Sequence, residues 1–252
     1  MRLRALRRAV ALVLALTVCM IRYGLLRLRG PLSLEKRAQW GHSCGPILMA
    51  ALGLRLRVQG QPPQRGLLVA NHLSYLDVLI FGAVLPCFFV SKAEISGWPF
   101  FGMMARAGGT LFIDRSSKAS AISVTEQIAA RLDGPAPVLF FPEGTSTDGS
   151  AVLCFRSRLF GPAIAAQAPV TAAALRYVLD DGTPERELCW FGDAPFLPHM
   201  WKALGAAGFT AEVSFCEPHV FTDRRDAANV TRAEVVAIRE QGAISDQPKN
   251  GS

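Results

Sequence analysis

Between residues 67 and 141, short apolar runs alternate with stretches whose apolar positions recur at helical spacing. The runs 67–70, 87–90, 110–113 and 138–141 read as buried strands, with 76–85, 98–107 and 119–132 as the helices between them. In 119–132, Ile122, Thr125, Ile128, Ala129 and Leu132 fall near one face, the spacing of a helix laid on a sheet. Further on, 158–167 predicts a helix, 170–177 and 211–215 predict strands, and 232–240 a closing helix. Strands separated by helix-length segments predict an α/β fold, a mainly parallel sheet flanked by helices, with chemistry at the carboxyl ends of the strands. The turn-rich stretch Gln59-Gly60-Gln61-Pro62-Pro63 sets a boundary between an N-terminal arm of anchor and interfacial helices, residues 1–58, and the main domain, residues 59–252.

Charge changes the picture of the arm. The net charge of +7 is not spread evenly: residues 1–58 hold eleven Lys/Arg against the single acidic Glu35, leaving sixteen basic and nineteen acidic residues for the remainder. Basic residues interleaved with Leu, Val, Ile and Trp suit an anionic membrane surface rather than a phosphodiester groove, so a lipid surface is the expected partner and nucleic acid is not. Residues 9–21 form an uncharged, mostly apolar run. As a helix it reaches only ~20 Å, short of a hydrocarbon core of ~30 Å. No small-x-small cleavage site follows it. The expectation is an uncleaved anchor that dips into or crosses one membrane with its Arg-rich start inside, which puts the protein on the cytoplasmic face of the cell inner membrane. A second stretch, 40–56, reads as lying along the interface. The six cysteines show no C-x-x-C pair and no histidine at metal-ligand spacing, so neither a zinc site nor a disulfide framework is expected.

Three polar clusters follow predicted strands. Asn71-His72-Leu73-Ser74-Tyr75-Leu76-Asp77 follows the first. A carboxylate on one imidazole nitrogen fixes the tautomer and leaves the other nitrogen basic, so His72 folded back on Asp77 could draw a proton from a hydroxyl without a covalent intermediate. On spacing alone, a helix-capping aspartate and a helix-start histidine is the competing reading. Gly108-Gly109-Thr110-Leu111-Phe112-Ile113-Asp114-Arg115 ends in a guanidinium that can meet phosphate or carboxylate, or pair with Asp114 or Glu94. Phe141-Pro142-Glu143-Gly144-Thr145-Ser146 offers close backbone approach at Gly144 and polar contacts from Glu143 and Thr145.

In this order and at these separations, NHLSYLD, GGTLFIDR and FPEGTS resemble the first three sequence blocks of the glycerolipid acyltransferase family related to bacterial 1-acylglycerol-3-phosphate acyltransferase. A fourth block is similar to residues 168–172. The resemblance implies that His72 is the general base and Asp77 its orienting partner. It also implies that Arg115 binds the acceptor head group with Lys92 as a weaker candidate, and that Glu143, Gly144 and Thr145 shape the acceptor pocket. It further implies acyl transfer from a thioester of coenzyme A or acyl carrier protein to a lysophospholipid hydroxyl, 1-acylglycerol-3-phosphate first, without cofactor or metal. One departure matters: many members follow the glycine and threonine of the third block with an Arg that meets phosphate, where this chain has Ser146. The segments 152–160, with Arg156 and Arg158, and 190–201 resemble a branch acting on lyso-ornithine lipid. Two other classes stay open: a hydrolase in which His72 activates Ser74, Ser91 or Ser146, although no G-x-S-x-G elbow exists, and a silent lipid-binding protein.

Overall fold

The computed structural model describes residues 1–114 and 116–245. Seven strands form one sheet: β1 (Leu54–Gln59), β2 (Leu67–Ala70), β3 (Phe88–Lys92), β4 (Leu111–Ile113), β5 (Val138–Phe140), β6 (Val170–Leu179) and β7 (Phe209–Phe215), in the order β1-β7-β6-β2-β5-β3-β4. The five strands β6, β2, β5, β3 and β4 are parallel, with Leu67 opposite Val138 on one side and Val170 on the other. β7 runs antiparallel to β6 and carries β1 parallel to itself at the far edge. The expected mainly parallel α/β sheet is therefore present, extended by a two-strand flap of opposite direction.

Strand alternation divides the core into two layers. Leu68 and Ala70 of β2, with Leu175 and Tyr177 of β6, face one apolar cluster; Leu67 and Val69, with Val170 and Ala172, face the other. The first cluster is covered by α1 (Arg2–Arg27), α2 (Leu34–Leu52), α3 (Leu76–Val84), α4 (Phe101–Gly108) and α7 (Phe196–Gly205). The second is covered by α5 (Lys118–Ala129), α6 (Gly161–Ala165) and α8 (Arg224–Ser245). Gly45 lets α2 cross α3 at close range, since a Cβ there would stand 2.3 Å from Ala83 Cα.

The division at residue 58 does not follow the structure. β1 belongs to the sheet as its edge strand, with Leu54 opposite Phe209 and Gln59 opposite Ser214, and the inner faces of α1 and α2 share one cluster with the strands. Leu54-Arg55-Leu56-Arg57-Val58 alternates with a period of two because Leu54 and Leu56 face the core, while Arg55 and Arg57 reach out to Asp180 and Glu212. Read without its partner strand, that alternation passes for a basic membrane-surface segment. The sequence reading also omits α7, whose Pro198 sits in the first turn where a missing N–H is tolerated. It starts α4 early, because a 3₁₀ turn at Ala93–Gly97 and Pro99 intervene.

Arg4 and Arg8 dock α1 onto α7. Arg4 Nε donates to Gly205 O at 3.0 Å and Arg8 Nη1 to Ala206 O at 2.7 Å, placing cations at a helix C-terminus where orphan carbonyls need donors. Part of the arm's positive charge is thus spent inside the molecule. The inner face of α1, Ala5, Leu12, Ala15, Leu16 and Cys19, is buried. Its opposite face exposes Leu3, Leu6, Val10, Val13, Leu14, Val18, Ile21 and Leu25. By length and composition this helix is apolar enough to cross a membrane.

Candidate active site

The site begins where β2 ends. The buried Asn71 prolongs the β2–β6 pairing with its side chain: Nδ2 donates to Leu175 O at 3.0 Å, and Oδ1 accepts from Leu175 N at 2.8 Å. The chain therefore leaves the sheet at a fixed point, and His72 sits just past the carboxyl end of β2. Its backbone is held on both sides, with the N–H donating to Glu143 Oε1 at 2.7 Å and the carbonyl accepting from Thr147 N at 2.9 Å. The ring stacks on Phe141 with centroids 4.1 Å apart.

Asp77, in the first turn of α3, completes the pair. Its Oδ2 lies 2.7 Å from His72 Nδ1 and also accepts from Leu73 N at 2.7 Å and Ser74 N at 3.1 Å; Oδ1 accepts from the Tyr177 hydroxyl. The side chain is 0 % exposed. Four donors around a fully buried carboxylate, at a helix N-terminus, offset the cost of keeping it charged without bulk water. Burial, followed by the Asp77 charge, pushes the Tyr177 hydroxyl well above its ordinary range, so Tyr177 stays protonated and acts as donor. With Asp77 Oδ2 as acceptor, Nδ1 carries the imidazole proton and Nε2 is left basic.

His72 lines a cavity of about 600 Å³, a size suited to one substrate chain or head group rather than a macromolecule. Leu48, Leu79, Phe89, Met104, Trp190 and Phe196 supply much of the apolar wall. Phe196 packs against Tyr75 and Trp98, with centroids 4.9 and 4.7 Å away. Lys92, the last residue of β3, lines the same cavity with Gly144 and Thr145 beyond β5, so three strand ends converge on it. Glu143 does not reach the cavity. It is 2 % exposed, and its second oxygen, Oε2, accepts from Leu153 N at 2.7 Å, so the carboxylate staples the His72 segment to the loop at 152–156. Burial raises its carboxyl above the ordinary range, against the pull of those two amides. Arg115 lies outside the described residues.

Glu143→Ala leaves both N–H groups without their acceptor, at about 1–3 kcal/mol each when buried. The expected result is a loss of about 2–4 kcal/mol in urea unfolding, with reduced kcat. An unfolding midpoint equal to the parent's would show that the staple contributes nothing to stability.

Tyr177 and Asn71 carry roles that motif reading missed. Tyr177 does leave a signal: it is the tyrosine of an apolar strand, and a buried phenol needs a partner for its hydroxyl. Serine nucleophiles are not set up. Ser146 Oγ donates to Trp190 O, and Ser74 Oγ is buried without a partner; among the described residues no serine is hydrogen bonded to His72.

A basic imidazole nitrogen at a cavity wall, held by a buried carboxylate and with no serine hydrogen bonded to it among the described residues, is an arrangement able to draw a proton from a hydroxyl of a bound substrate. The comparisons are more specific. The Acyltransferase family profile matches residues 55–176. The lyso-ornithine lipid O-acyltransferase of Pseudomonas aeruginosa is 35% identical over 76% of this chain and 74% of its own length, and that of Rhodobacter capsulatus 38% over 75% and 71%. The 1-acyl-sn-glycerol-3-phosphate acyltransferase of Neisseria meningitidis is 34% identical over 68% of both chains. The crystal structure of the 1-acyl-sn-glycerophosphate acyltransferase PlsC from Thermotoga maritima shares the fold, with a TM-score of 0.66 at 17% identity over 96% of this chain and 100% of that one. This chain belongs to the acyltransferase family and is an O-acyltransferase.

Proposed function

We propose that this enzyme transfers a fatty acyl group from an acyl thioester, on coenzyme A or acyl carrier protein, to the free hydroxyl of a lysolipid whose head group carries a carboxylate or a phosphate. Lyso-ornithine lipid is the first choice of acceptor and 1-acylglycerol-3-phosphate the second. The observation that carries the reading is the imidazole of His72, with Nδ1 2.7 Å from Asp77 Oδ2 and its ring on the wall of an apolar cavity. His72 Nε2 takes the hydroxyl proton as the oxygen attacks the thioester carbonyl. The tetrahedral intermediate collapses, the C–S bond breaks, and the departing thiolate receives the proton from the imidazolium, giving ester and thiol. The order of acceptors is supported by the P. aeruginosa and R. capsulatus relatives, both lyso-ornithine lipid O-acyltransferases, and by Ser146, which brings no cation. Thiol release from acyl-CoA, followed with each lysolipid and with none, tests it. Acceptor-dependent release is expected; acceptor-independent release would mean a hydrolase, and none a binder.

The membrane position is part of the same proposal. With its inner face packed on α2 and α7, α1 lies along the cytoplasmic surface of the inner membrane, its exposed apolar stripe in the lipid and Arg2, Arg7, Arg27 and Arg29 free for anionic headgroups. Leu14→Asp with Val18→Asp alters only the outer face, so the melting temperature should hold. Burial of each such side chain contributes roughly 1.5–3 kcal/mol, so binding to phosphatidylglycerol-containing vesicles in high salt should fall more than ~10-fold. Unchanged sedimentation with vesicles would move the anchor elsewhere.

A further inference from the structure

The loop at 152–156 runs beside the active site and is unusually well tied for irregular chain. Val152 and Phe155 are buried, and Leu153 N donates to Glu143 Oε2 at 2.7 Å. Arg156 N donates to Pro142 O at 2.9 Å, and Arg232 holds the carbonyls of Val152 and Leu153 from α8. Because the other oxygen of Glu143 receives His72 N, one carboxylate fixes both the base and this loop.

Arg156 ends the loop, and its exposed side chain turns back over Gly144. A Cβ at Gly144 would stand 3.0 Å from the Arg156 Cζ and Nε and 3.1 Å from Nη1, and the backbone there has φ +78°. Gly144 lines the cavity shared with His72, so the guanidinium stands against a lining residue while lying just outside the lining itself. Arg239 pairs with Glu185 at 2.7 Å and Arg186 with Asp148 at 3.5 Å, while Arg158, two residues on and also exposed, has no such partner among the described residues. Among the described residues, the Arg156 guanidinium has neither an ion pair nor a hydrogen bond. Ser146, two residues beyond Gly144, turns its hydroxyl to Trp190 O, and Lys92 brings a positive charge to the cavity lining.

We propose that Arg156 is the anion-binding residue of the acceptor site, receiving the carboxylate or phosphate of the lysolipid whose hydroxyl His72 deprotonates; the assignment rests on the acyl-transfer reading above. A planar guanidinium held beside the lining by a tethered loop presents parallel N–H donors that match either oxyanion, and glycine at 144 leaves it room to lie flat against the backbone. Glu143 then acts as the positioning residue that sets the distance from anion site to base.

The experiment compares the parent enzyme with Arg156→Gln, Arg156→Lys and, as a control two residues on that makes the same change in charge, Arg158→Gln. KM and kcat are measured with 1-acylglycerol-3-phosphate, lyso-ornithine lipid and uncharged monoacylglycerol. Charge-assisted hydrogen bonds contribute enough that Arg156→Gln should raise KM for the acceptors with a carboxylate or phosphate by about 10- to 100-fold. KM for the thioester and for monoacylglycerol should stay within about twofold, Arg156→Lys should fall between, and Arg158→Gln should match the parent. The larger rise of the two identifies whether carboxylate or phosphate is the bound anion. Equal losses on charged and uncharged acceptors, or an effect of Arg158→Gln as large as that of Arg156→Gln, would overturn the assignment. Tryptophan fluorescence titration with each lysolipid below its micelle concentration reads binding without turnover. An inactive parent that still binds lysolipid through Arg156 would refute the transferase reading and keep the anion site, whereas an active parent with unchanged affinity in Arg156→Gln would do the reverse.

Discussion

Replacing His72 with alanine is expected to lower kcat by at least ~10²-fold while the protein stays folded and bound to vesicles. General-base catalysis contributes typically ~10² to 10⁴, and neither carboxylate that touches the His72 segment can replace the ring: Asp77 is buried behind it, and Glu143 has both oxygens occupied by backbone amides. The fold tolerates the loss, because Asp77 keeps Leu73 N, Ser74 N and the Tyr177 hydroxyl as donors after the imidazole is removed. The exposed stripe of α1 is a separate part of the molecule. KM for both substrates should therefore change little, which marks an interaction made chiefly in the transition state. Single-turnover thiol release with acyl-CoA and lysolipid, beside a thermal melt, measures both halves. A variant that retains near-parent turnover would remove His72 from the chemistry.

What the sequence reveals of this molecule follows the range of each physical signal. The parallel half of the sheet is legible because its strands are buried on both faces and read as short apolar runs: Leu67–Ala70 and Val138–Phe140 lie almost where periodicity puts them. β1 is not, because its outward positions are arginines whose partners, Asp180 and Glu212, lie more than a hundred residues away. His72 and Asp77 are legible as a pair through spacing and resemblance, and the side chains do meet. The function of Glu143 is not, because a carboxylate beside a strand end reads as a ligand for substrate until its two backbone donors, Leu153 and His72, are seen to consume it. Tyr177 lies a hundred positions from Asp77 and is joined to it only by the pairing of β2 with β6. Local patterns therefore bring out the His72–Asp77 pair, while the groups that hold it in place depend on long-range topology.

That topology sets the second large effect. Asp77→Asn should lower kcat by about 10²-fold or more with the fold intact, and the cause should be lost charge rather than a reversed tautomer. An amide oxygen at the Oδ2 position can still accept from Leu73 N, Ser74 N and His72 Nδ1, and the amide nitrogen at the Oδ1 position can donate to the Tyr177 oxygen. The bonds to Leu73 N, Ser74 N and His72 Nδ1 survive and the one to Tyr177 reverses direction, but the carboxylate charge that would compensate the positive charge forming on His72 is gone. Tyr177→Phe removes a neutral donor from the same carboxylate and should cost less, about 3- to 30-fold in kcat, with KM for both substrates near the parent value. Because Tyr177 acts through Asp77, the double variant should be close to Asp77→Asn alone, a coupling that a double-mutant cycle reads directly. If the two losses multiplied instead, Tyr177 would be acting on the cavity or on stability independently of the dyad.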